Sequence, residues 1–303
     1  MQHTHTEYAY AKINPYLAVV GQRSDGYHNI LSHMQAITLC DVLTFDWQDG
    51  QTDEFAVRLT CTEPSLACDD TNLVCRAAHA LVDCLASHGR KTVGVLKIQL
   101  EKRIPMAAGL AGGSADAAAT LRGLNLLLGG PFSMEELCRI GATLGADIPF
   151  CVQCVKSPSA KVLGIGDRMT PVRPLPSSVH LVIACYGEGV STAWAYRRID
   201  ESGVTHMTEA EPGYNAYLAA LDAGELAWMA LYSYNSFEKI VCGERPAASA
   251  VMECMEKSQA VFARMSGSGP SVVGYFDDEA KARACANRLS AQGITAHVCR
   301  PLS

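Results

Sequence analysis

The chain has 303 residues, which is enough for two domains that each bury a hydrophobic core. Hydrophobic residues make up 49% of it and charged residues 18%, which is typical of a globular enzyme and excludes a fibrous or disordered chain. The net charge of −6 argues against nucleic acid or an anionic membrane as the main partner, because proteins that bind these surfaces usually carry a basic face.

The sequence also indicates the compartment. No apolar run approaches the ~18 residues that span a bilayer, and the first residues lack a basic segment followed by an apolar one. The 13 cysteines are dispersed and lie mostly in apolar segments, which is typical of reduced, buried thiols. We therefore expect a cytoplasmic protein.

Cys151 and Cys154 form the one C-x-x-C pair. A zinc site or a redox pair would be the functional interpretation, but no second Cys or His pair follows at the spacing of a zinc site. If 150–155 is a strand, residues three apart also point to opposite faces. We therefore expect a structural role for both thiols.

The first half of the chain is predicted to be rich in strands and to contain two helices. Period-two alternation predicts strands over 8–20 and 95–100, and further extended runs are predicted over 30–39, 42–47 and 55–60. A helix is predicted near 72–86. A glycine-rich loop follows the strand over 95–100, and then an alanine-rich helix over 117–127 that ends at Gly129-Gly130-Pro131.

The loop over 105–116 is the most informative segment. It joins a strand to a helix, and backbone N–H groups and the positive end of the helix dipole converge at such a position. Gly109, Gly112 and Gly113 would let the backbone approach an anion without a Cβ in the way. The segment lacks the Gly-Lys-Ser/Thr ending of a Walker A loop and the register of a dinucleotide-binding fingerprint. From the loop alone, a phosphate site and a tight turn without a ligand both remain open.

The second half mixes helices and strands. Ser133 and Glu136 predict a capping box that starts a helix ending near Gly145. Breakers over 157–159 and 164–176 predict a domain junction near 155–175, which gives domains over 1–160 and 161–303. Strands are predicted over 180–185, 260–265 and 272–276, and helices near 192–199, 213–222, 224–231, 245–257 and 278–292. Without strict alternation of strands and helices, the fold class is α+β.

Three polar residues outside the loop could carry chemistry. Lys12 and Asn14 are two apart in a predicted strand, so both side chains leave the same face. Lys12 pairs with an anion if this face is buried and is solvated if it is exposed. Asp147, in Gly145-Ala146-Asp147-Ile148-Pro149, is either a functional carboxylate or a residue that closes a turn. None of the three residues by itself decides between a functional and a structural role.

Together these segments resemble a known family. Lys12-Ile13-Asn14, the 105–117 loop and Ser266-Gly267-Ser268-Gly269 occur in the order and rough spacing of the GHMP kinase superfamily. Gly21-x-Arg23-x-Asp25-Gly26-Tyr27-His28, Gly145 to Phe150 and Arg264 to Gly269 are similar to the 4-diphosphocytidyl-2-C-methyl-D-erythritol kinases. The resemblance covers about residues 9–290. It implies a ribosomal-protein-S5-like N-terminal domain and a ferredoxin-like C-terminal domain, with the active site in the cleft between them.

The resemblance implies phosphoryl transfer from ATP to the 2-hydroxyl of 4-diphosphocytidyl-2-C-methyl-D-erythritol, a step of non-mevalonate isoprenoid biosynthesis. In this interpretation Asp147 is the catalytic base, and Lys12 polarises the acceptor hydroxyl and keeps Asp147 ionised. The loop amides and Mg²⁺ would stabilise charge on the phosphoryl group. The motif fixes no metal ligand, and Ser114 is only a candidate.

The resemblance also implies binding residues. On the substrate side these are Asn14, Tyr27, His28 and Thr192, with His28 stacking on the base and hydrogen-bonding to it. On the nucleotide side they are Asn72, Lys102, Pro105, Gly109, Gly112, Gly113 and Ser114. Ala107, Ala108 and Ala111 depart from the pattern, because many members have glycine there. The partners are small molecules, and both a monomer and a homodimer remain open.

Two alternatives are kept. Another GHMP kinase, of the homoserine or mevalonate type, is disfavoured by the Asp25-Gly26-Tyr27-His28 segment, and a substrate panel separates the two. A non-catalytic nucleotide-binding homologue is disfavoured because it would need neither Lys12 nor Asp147.

Overall fold

The computed structural model describes residues 2–50, 54–187, 189–202 and 207–303. It falls into two compact units, each assembled from separate stretches of the chain. The first unit contains Met1–Ala11, Cys40–Ile104 and Ala111–Lys156, and the second contains Lys12–Leu39, Pro105–Leu110 and Ser157–Ser303. Both units mix helices and strands, which confirms the predicted α+β class.

The first unit packs helices on a sheet. Its elements are β1 (Gln2–Gln22) and β2 (His28–Asp49), which both continue into the second unit, and β3 (Phe55–Cys61), α1 (Leu73–Ser87), β4 (Gly94–Glu101), α2 (Gly112–Leu127), α3 (Met134–Ala142) and α4 (Ile148–Gln153). β4 lies between β3, to which it is parallel, and β2, to which it is antiparallel. A Cβ at Gly123 of α2 would lie 2.7 Å from the ring of Phe45, so glycine lets α2 approach the sheet closely.

The second unit contains the remaining elements: β5 (Ser159–Gly164), β6 (Arg168–Pro171), β7 (His180–Cys185), α5 (Thr192–Ser202), α6 (Met207–Ala223), α7 (Leu226–Tyr232), β8 (Tyr234–Asn235), α8 (Glu238–Glu244), α9 (Pro246–Lys257), β9 (Phe262–Met265), β10 (Val272–Phe276), α10 (Glu279–Ser290) and β11 (Thr295–Cys299). β8 pairs in parallel with the end of β1, and β5 pairs with the start of β2 and with β6.

The second unit also contains a four-stranded antiparallel sheet in the order β11-β7-β10-β9. Residues of β7, β10, α9 and α10 share one buried core, including Val182, Phe276, Val251, Met255 and Leu289. This sheet, covered by two helices, has the arrangement expected of the ferredoxin-like half. Among the described helices, none combines the length and the apolar character that a bilayer crossing requires.

Several predicted elements are confirmed because their signals are local. The helix predicted near 72–86 is α1, and Asn72 is its N-cap. Ser133 and Glu136 form the predicted capping box, with both reciprocal hydrogen bonds present, at the start of α3. The strands predicted over 180–185 and 272–276 coincide with β7 and β10.

One predicted break is absent from the observed strands. The runs 30–39 and 42–47 form one continuous strand, β2, because the carboxylate of Asp41 is buried and accepts hydrogen bonds from the backbone N–H groups of Arg103 and Ile104. Within the segment predicted as a junction, near 155–175, the last stretch of the first unit ends at Lys156 and the second unit resumes at Ser157. The rest of that segment contains the hairpin β5–β6, whose strand β5 pairs with β2 from Ile30 to Gln35. The domain bounds 1–160 and 161–303 stay a prediction.

The conditional strand over 150–155 was wrong, because this segment contains most of the short helix α4. Pro149 lies in the first helical turn, where its missing N–H does no harm, and the apolar residues that follow are buried on all sides. A short segment buried all round carries no periodicity that separates helix from strand. Burial raises the pKa of the Cys154 thiol to about 11, and none of the 13 cysteines, all of them in described residues, forms a disulfide.

Candidate active site

The start of α2 offers a cradle for phosphate. Ala111 precedes the helix in the left-handed conformation, with φ of 56°, and among the described residues no side chain caps the first turn. The first backbone N–H groups of a helix lack acceptors within the helix, and the dipole is positive there. No acidic residue lies in the first turn of α2. An anion of the size of phosphate would therefore satisfy the amides of Gly112, Gly113 and Ser114.

The preceding part of the loop, Pro105–Leu110, is braced within the second unit by the turn after β9. The Ser271 N–H donates to the carbonyl of Ala108 at 3.3 Å, and the Ser266 hydroxyl donates to the carbonyl of Gly109 at 3.4 Å. Gly109 has φ of 75°, and a Cβ there would lie 2.5 Å from the carbonyl oxygen of Ser266. Only glycine fits this position without displacing the loop.

We expect Gly109→Ala to lower kcat/KM for ATP by about 100-fold, because a shift of about 1 Å in a positioning loop has effects of that size. The added Cβ would collide with the turn that braces the loop, and would also be strained by the positive φ. Steady-state kinetics with varied ATP would measure the loss.

Gly129→Ala is the matched control for this variant. Gly129 has φ of 85° but nothing within 4 Å of an added Cβ, so it carries the strain without the collision. We expect a small loss of thermal stability and unchanged kinetics. Equal kinetic effects of the two variants would contradict the role of Gly109.

Lys12 and Asn14 lie in β1 and are both buried. The Lys12 ammonium donates to Oδ1 of Asn14 at 2.7 Å, and the Asn14 amide donates in turn to the hydroxyl of Ser32 at 2.9 Å. The Lys12 N–H also donates to the carbonyl of Leu110, at the end of the loop. The structure therefore supports the buried alternative for Lys12 over the solvated one, and it fixes the ammonium through a neighbouring amide.

His28 lies at the start of β2, after a tight turn. Asp25 forms an ion pair with Arg23 and accepts a hydrogen bond from the N–H of Tyr27, whose side chain is 62% exposed. The His28 ring is buried and stacks on Tyr196 of α5, with ring centroids 4.6 Å apart and planes inclined by 20°. An aromatic surface of this kind suits a nucleobase.

Thr192 is the first residue of α5, and its hydroxyl lies 3.1 Å from the hydroxyl of Ser268 in the turn after β9. The same turn braces Gly109 and contacts Asn14, whose N–H donates to the Ser266 hydroxyl at 3.3 Å. The structure thus brings Asn14, Gly109 and Thr192 to one turn of the second unit.

Lys102 lies in a buried ionic cluster of the first unit. Its ammonium contacts the carboxylates of Asp41 and Asp116, and its side chain is only 8% exposed. Burial raises the pKa of the Asp116 carboxyl; the Lys102 ammonium lowers it, and Asp41 adds to the rise. The ammonium also lies near Gly112, because a Cβ there would be 3.4 Å from Nζ. The predicted contact of Lys102 with the nucleotide stays a prediction. The structure adds a second role, because the ion pairs of Lys102 link the segment after β4 to β2 and α2.

Asn72 and Asp147 occupy helix starts in the first unit. Both polar atoms of the Asn72 side-chain amide make structural hydrogen bonds. Oδ1 accepts from the N–H of Val74, and Nδ2 donates to the carbonyl of Ala67. Asp147 is the N-cap residue of α4, but its side chain makes no capping hydrogen bond within the described residues. Its carboxylate is half-buried and is not used to start the helix. Asn72 therefore has a structural reason to be where it is, whereas Asp147 is not explained by helix capping.

The described residues contain no group of three or more His, Cys, Asp or Glu side chains that could hold a metal ion. Mg²⁺ in kinase sites takes few protein ligands and many phosphate oxygens, so a side chain such as the Ser114 hydroxyl at the start of α2 fits that donor set.

The comparisons with known proteins agree with this geometry. Residues 72–154 match the N-terminal domain of the GHMP kinases, and residues 217–295 match their C-terminal domain. The chain is 38% identical to a 4-diphosphocytidyl-2-C-methyl-D-erythritol kinase of Gloeobacter violaceus, over 96% of this chain and 92% of the relative. It is 40% identical to the kinase of the same name from Geobacter sp. strain M21, over 92% of each chain.

The chain belongs to the 4-diphosphocytidyl-2-C-methyl-D-erythritol kinase family of the GHMP kinases.

Solved structures support this membership of the GHMP kinases. A crystal structure of 4-(cytidine 5'-diphospho)-2C-methyl-D-erythritol kinase superimposes with a TM-score of 0.77 at 29% identity, over 99% of this chain and all of that chain. Homoserine kinase from Cytophaga hutchinsonii superimposes with a TM-score of 0.73 at 18% identity, over 98% of this chain and 94% of that chain. At this identity, the superposition on homoserine kinase establishes the fold alone. Together with the matched family domains, it confirms the predicted two-domain GHMP kinase fold.

Sequence reasoning about this family member missed four side chains. Tyr196 and Asp200 contact His28, and a signal for them was available in their spacing of four residues from Thr192. Thr192 and Tyr196 lie in the helix predicted near 192–199, and Asp200 follows directly after it. The observed helix α5 includes all three, which therefore share one face. Asp41 and Asp116 contact Lys102. An aspartate inside an apolar strand pattern, such as Asp41, was a second available signal.

Proposed function

We propose that this chain transfers the terminal phosphoryl group of ATP to the 2-hydroxyl of 4-diphosphocytidyl-2-C-methyl-D-erythritol, giving the 2-phosphate and ADP. The observation that carries the proposal is identity of 38–40% over more than nine-tenths of this chain and of relatives that bear this kinase's name. The GHMP fold would by itself suit several acceptors, since it also superimposes on a homoserine kinase.

The arrangement at His28 supports the cytidylyl part of the substrate. A pyrimidine base needs an aromatic surface and a few directed hydrogen bonds. His28, Tyr196 and the exposed Tyr27 supply rings at the start of β2, and His28 also carries ring nitrogens for hydrogen bonding. Homoserine and mevalonate contain no aromatic ring, so neither would offer a ring for these side chains to stack on.

In the proposed reaction Asp147 is the general base. It accepts the proton of the 2-hydroxyl while that oxygen forms a bond to the terminal phosphorus, and the bond from phosphorus to the bridging oxygen breaks to release ADP. Lys12, oriented by Asn14, polarises the hydroxyl. The amides at the start of α2 stabilise charge on the phosphates.

Mg²⁺ bound with ATP would neutralise charge on the transferring group, and the Ser114 hydroxyl is the proposed protein ligand. We place the reaction in the cytoplasm, where ATP is available.

The first test is ADP release by the purified protein with Mg-ATP and each of three acceptors: 4-diphosphocytidyl-2-C-methyl-D-erythritol, homoserine and mevalonate. We expect turnover with the cytidylyl substrate alone. Turnover with homoserine or mevalonate at a comparable kcat/KM would refute the proposed substrate. If ATP binds and no acceptor reacts, the claim of catalysis on these substrates is wrong.

A further inference from the structure

Asp200 lies beside His28, the histidine proposed to bind the base. Its Oδ1 is 2.7 Å from Nε2 of His28, across 172 residues of sequence. Asp200 is one helical turn beyond Tyr196 on α5, and Tyr196 stacks on the same imidazole. A single helix face therefore supplies both contacts of the His28 ring.

These contacts restrict the ring in two ways. Stacking on Tyr196 fixes the plane of the imidazole, and Tyr196 is itself held by an edge contact to Phe237, with centroids 5.0 Å apart. The contact with Asp200 fixes which way round the ring lies, since a ring turned by half a rotation would place a carbon where Nε2 now meets the carboxylate. The His28 side chain is 7% exposed, so bulk water has little access to it.

The carboxylate also decides where the proton lies. An ionised carboxylate accepts hydrogen bonds and has no proton to donate, so Nε2 must be the donor in this contact. In a neutral imidazole that carries its proton on Nε2, Nδ1 is an acceptor. An acceptor at this position pairs with the exocyclic amino group of cytosine and is repelled by the carbonyl oxygen that uracil has at the same place.

We propose that Asp200 is a positioning residue that holds His28 with its proton on Nε2, so that Nδ1 selects a cytosine amino group over a uracil carbonyl. The inference rests on the proposed function, because it takes the cytidylyl group as the part of the substrate that His28 contacts. Asp200 acts through His28 and contacts no reacting atom.

Asp200→Asn is the informative variant. An asparagine amide can donate to Nε2 as well as accept from it, so Nδ1 is no longer held as an acceptor. We expect the ratio of kcat/KM for the cytidylyl substrate to that for its uracil analogue to fall about 10-fold, the effect of losing one directed hydrogen bond. The change should lie in KM for the acceptor, with kcat and KM for ATP unchanged.

Glu201→Gln is the matched control. Glu201 is the next residue of α5 and pairs with Arg198, so the substitution removes the same charge without touching His28. We expect it to keep the base preference of the unmodified protein. Asp200→Glu retains a carboxylate and should restore part of the preference, which a purely structural role of Asp200 would not require.

Nitrogen NMR of the histidine-labelled free protein tests the proton position without substrate, at a pH where the imidazole is neutral. Comparison with His28→Gln assigns the signal. We expect the proton on Nε2 in the unmodified protein and in Glu201→Gln, and a mixture of tautomers in Asp200→Asn. A proton on Nδ1 in the unmodified protein, or an unchanged base preference in Asp200→Asn, would overturn the proposal. Failure of the unmodified protein to phosphorylate the cytidylyl substrate would instead refute the proposed function, while the NMR result would still report on Asp200.

Discussion

Asp147→Asn is expected to lower kcat by about 10²–10⁴-fold, which is the usual contribution of a general base. Asparagine keeps the size of the side chain and cannot accept the proton of the acceptor hydroxyl. Asp147 is the N-cap residue of α4 without using its side chain as a cap, so the substitution should leave the start of that helix intact. Single-turnover and steady-state kinetics would measure the loss, and KM for ATP should change little.

Asp83→Asn is the control for this substitution. Asp83 is exposed on α1 and undergoes the same chemical change away from the candidate site. Its turnover should match that of the unmodified protein, and both variants should unfold at the same temperature. Near-normal turnover in Asp147→Asn would mean that another group removes the proton, or that transfer needs no base.

The second large effect concerns Lys102. We expect Lys102→Met to lower the free energy of unfolding by about 3–5 kcal/mol, the range observed when one partner of a buried ion pair is removed. The side chains of Asp41 and Asp116 are 0% and 3% exposed, so the substitution would leave two buried carboxylates without the cation that they share. Urea unfolding followed by circular dichroism would measure the change.

Two further variants serve as controls for the stability loss in Lys102→Met. Lys97→Met removes a lysine from the strand that precedes Lys102, β4, but Lys97 is 44% exposed and lies 4.0 Å from Asp46, so the loss should be below about 1 kcal/mol. Adding Asp116→Asn to Lys102→Met should restore part of the lost stability, because one buried carboxylate becomes a neutral amide. A raised KM for ATP with unchanged stability in Lys102→Met would instead support the nucleotide contact alone.

The sequence predicted those parts of the site that depend on local chain geometry. The glycine-rich loop is followed by a helix start with uncapped amides, because a strand followed by glycines and an alanine-rich run has few other conformations. Lys12 and Asn14 leave β1 on one face because side chains alternate along a strand. The capping box at Ser133 formed for the same kind of reason, since its two partners are three residues apart.

Local pattern failed where burial erased the signal. The segment after Asp147 is largely apolar, so its pattern did not separate a strand from a helix, and the structure has the helix α4 there. The predicted break before Val42 contains Asp41, a charged residue that the structure buries against two backbone N–H groups and Lys102. In both places the surroundings, supplied by distant segments, decided the conformation.

By itself, then, the sequence determined the fold class, the glycine-rich loop before a helix, and the residue types that point to a kinase of this family. These follow from interactions within a few residues and from motifs read in order. Only the tertiary structure decided the partners of the charged and aromatic groups: Lys102 with Asp41 across 61 residues, and His28 with Asp200 across 172. The physical reason is that the energy of an ion pair or a hydrogen bond depends on distance and burial in three dimensions, and neither quantity is contained in the spacing of residues along a chain.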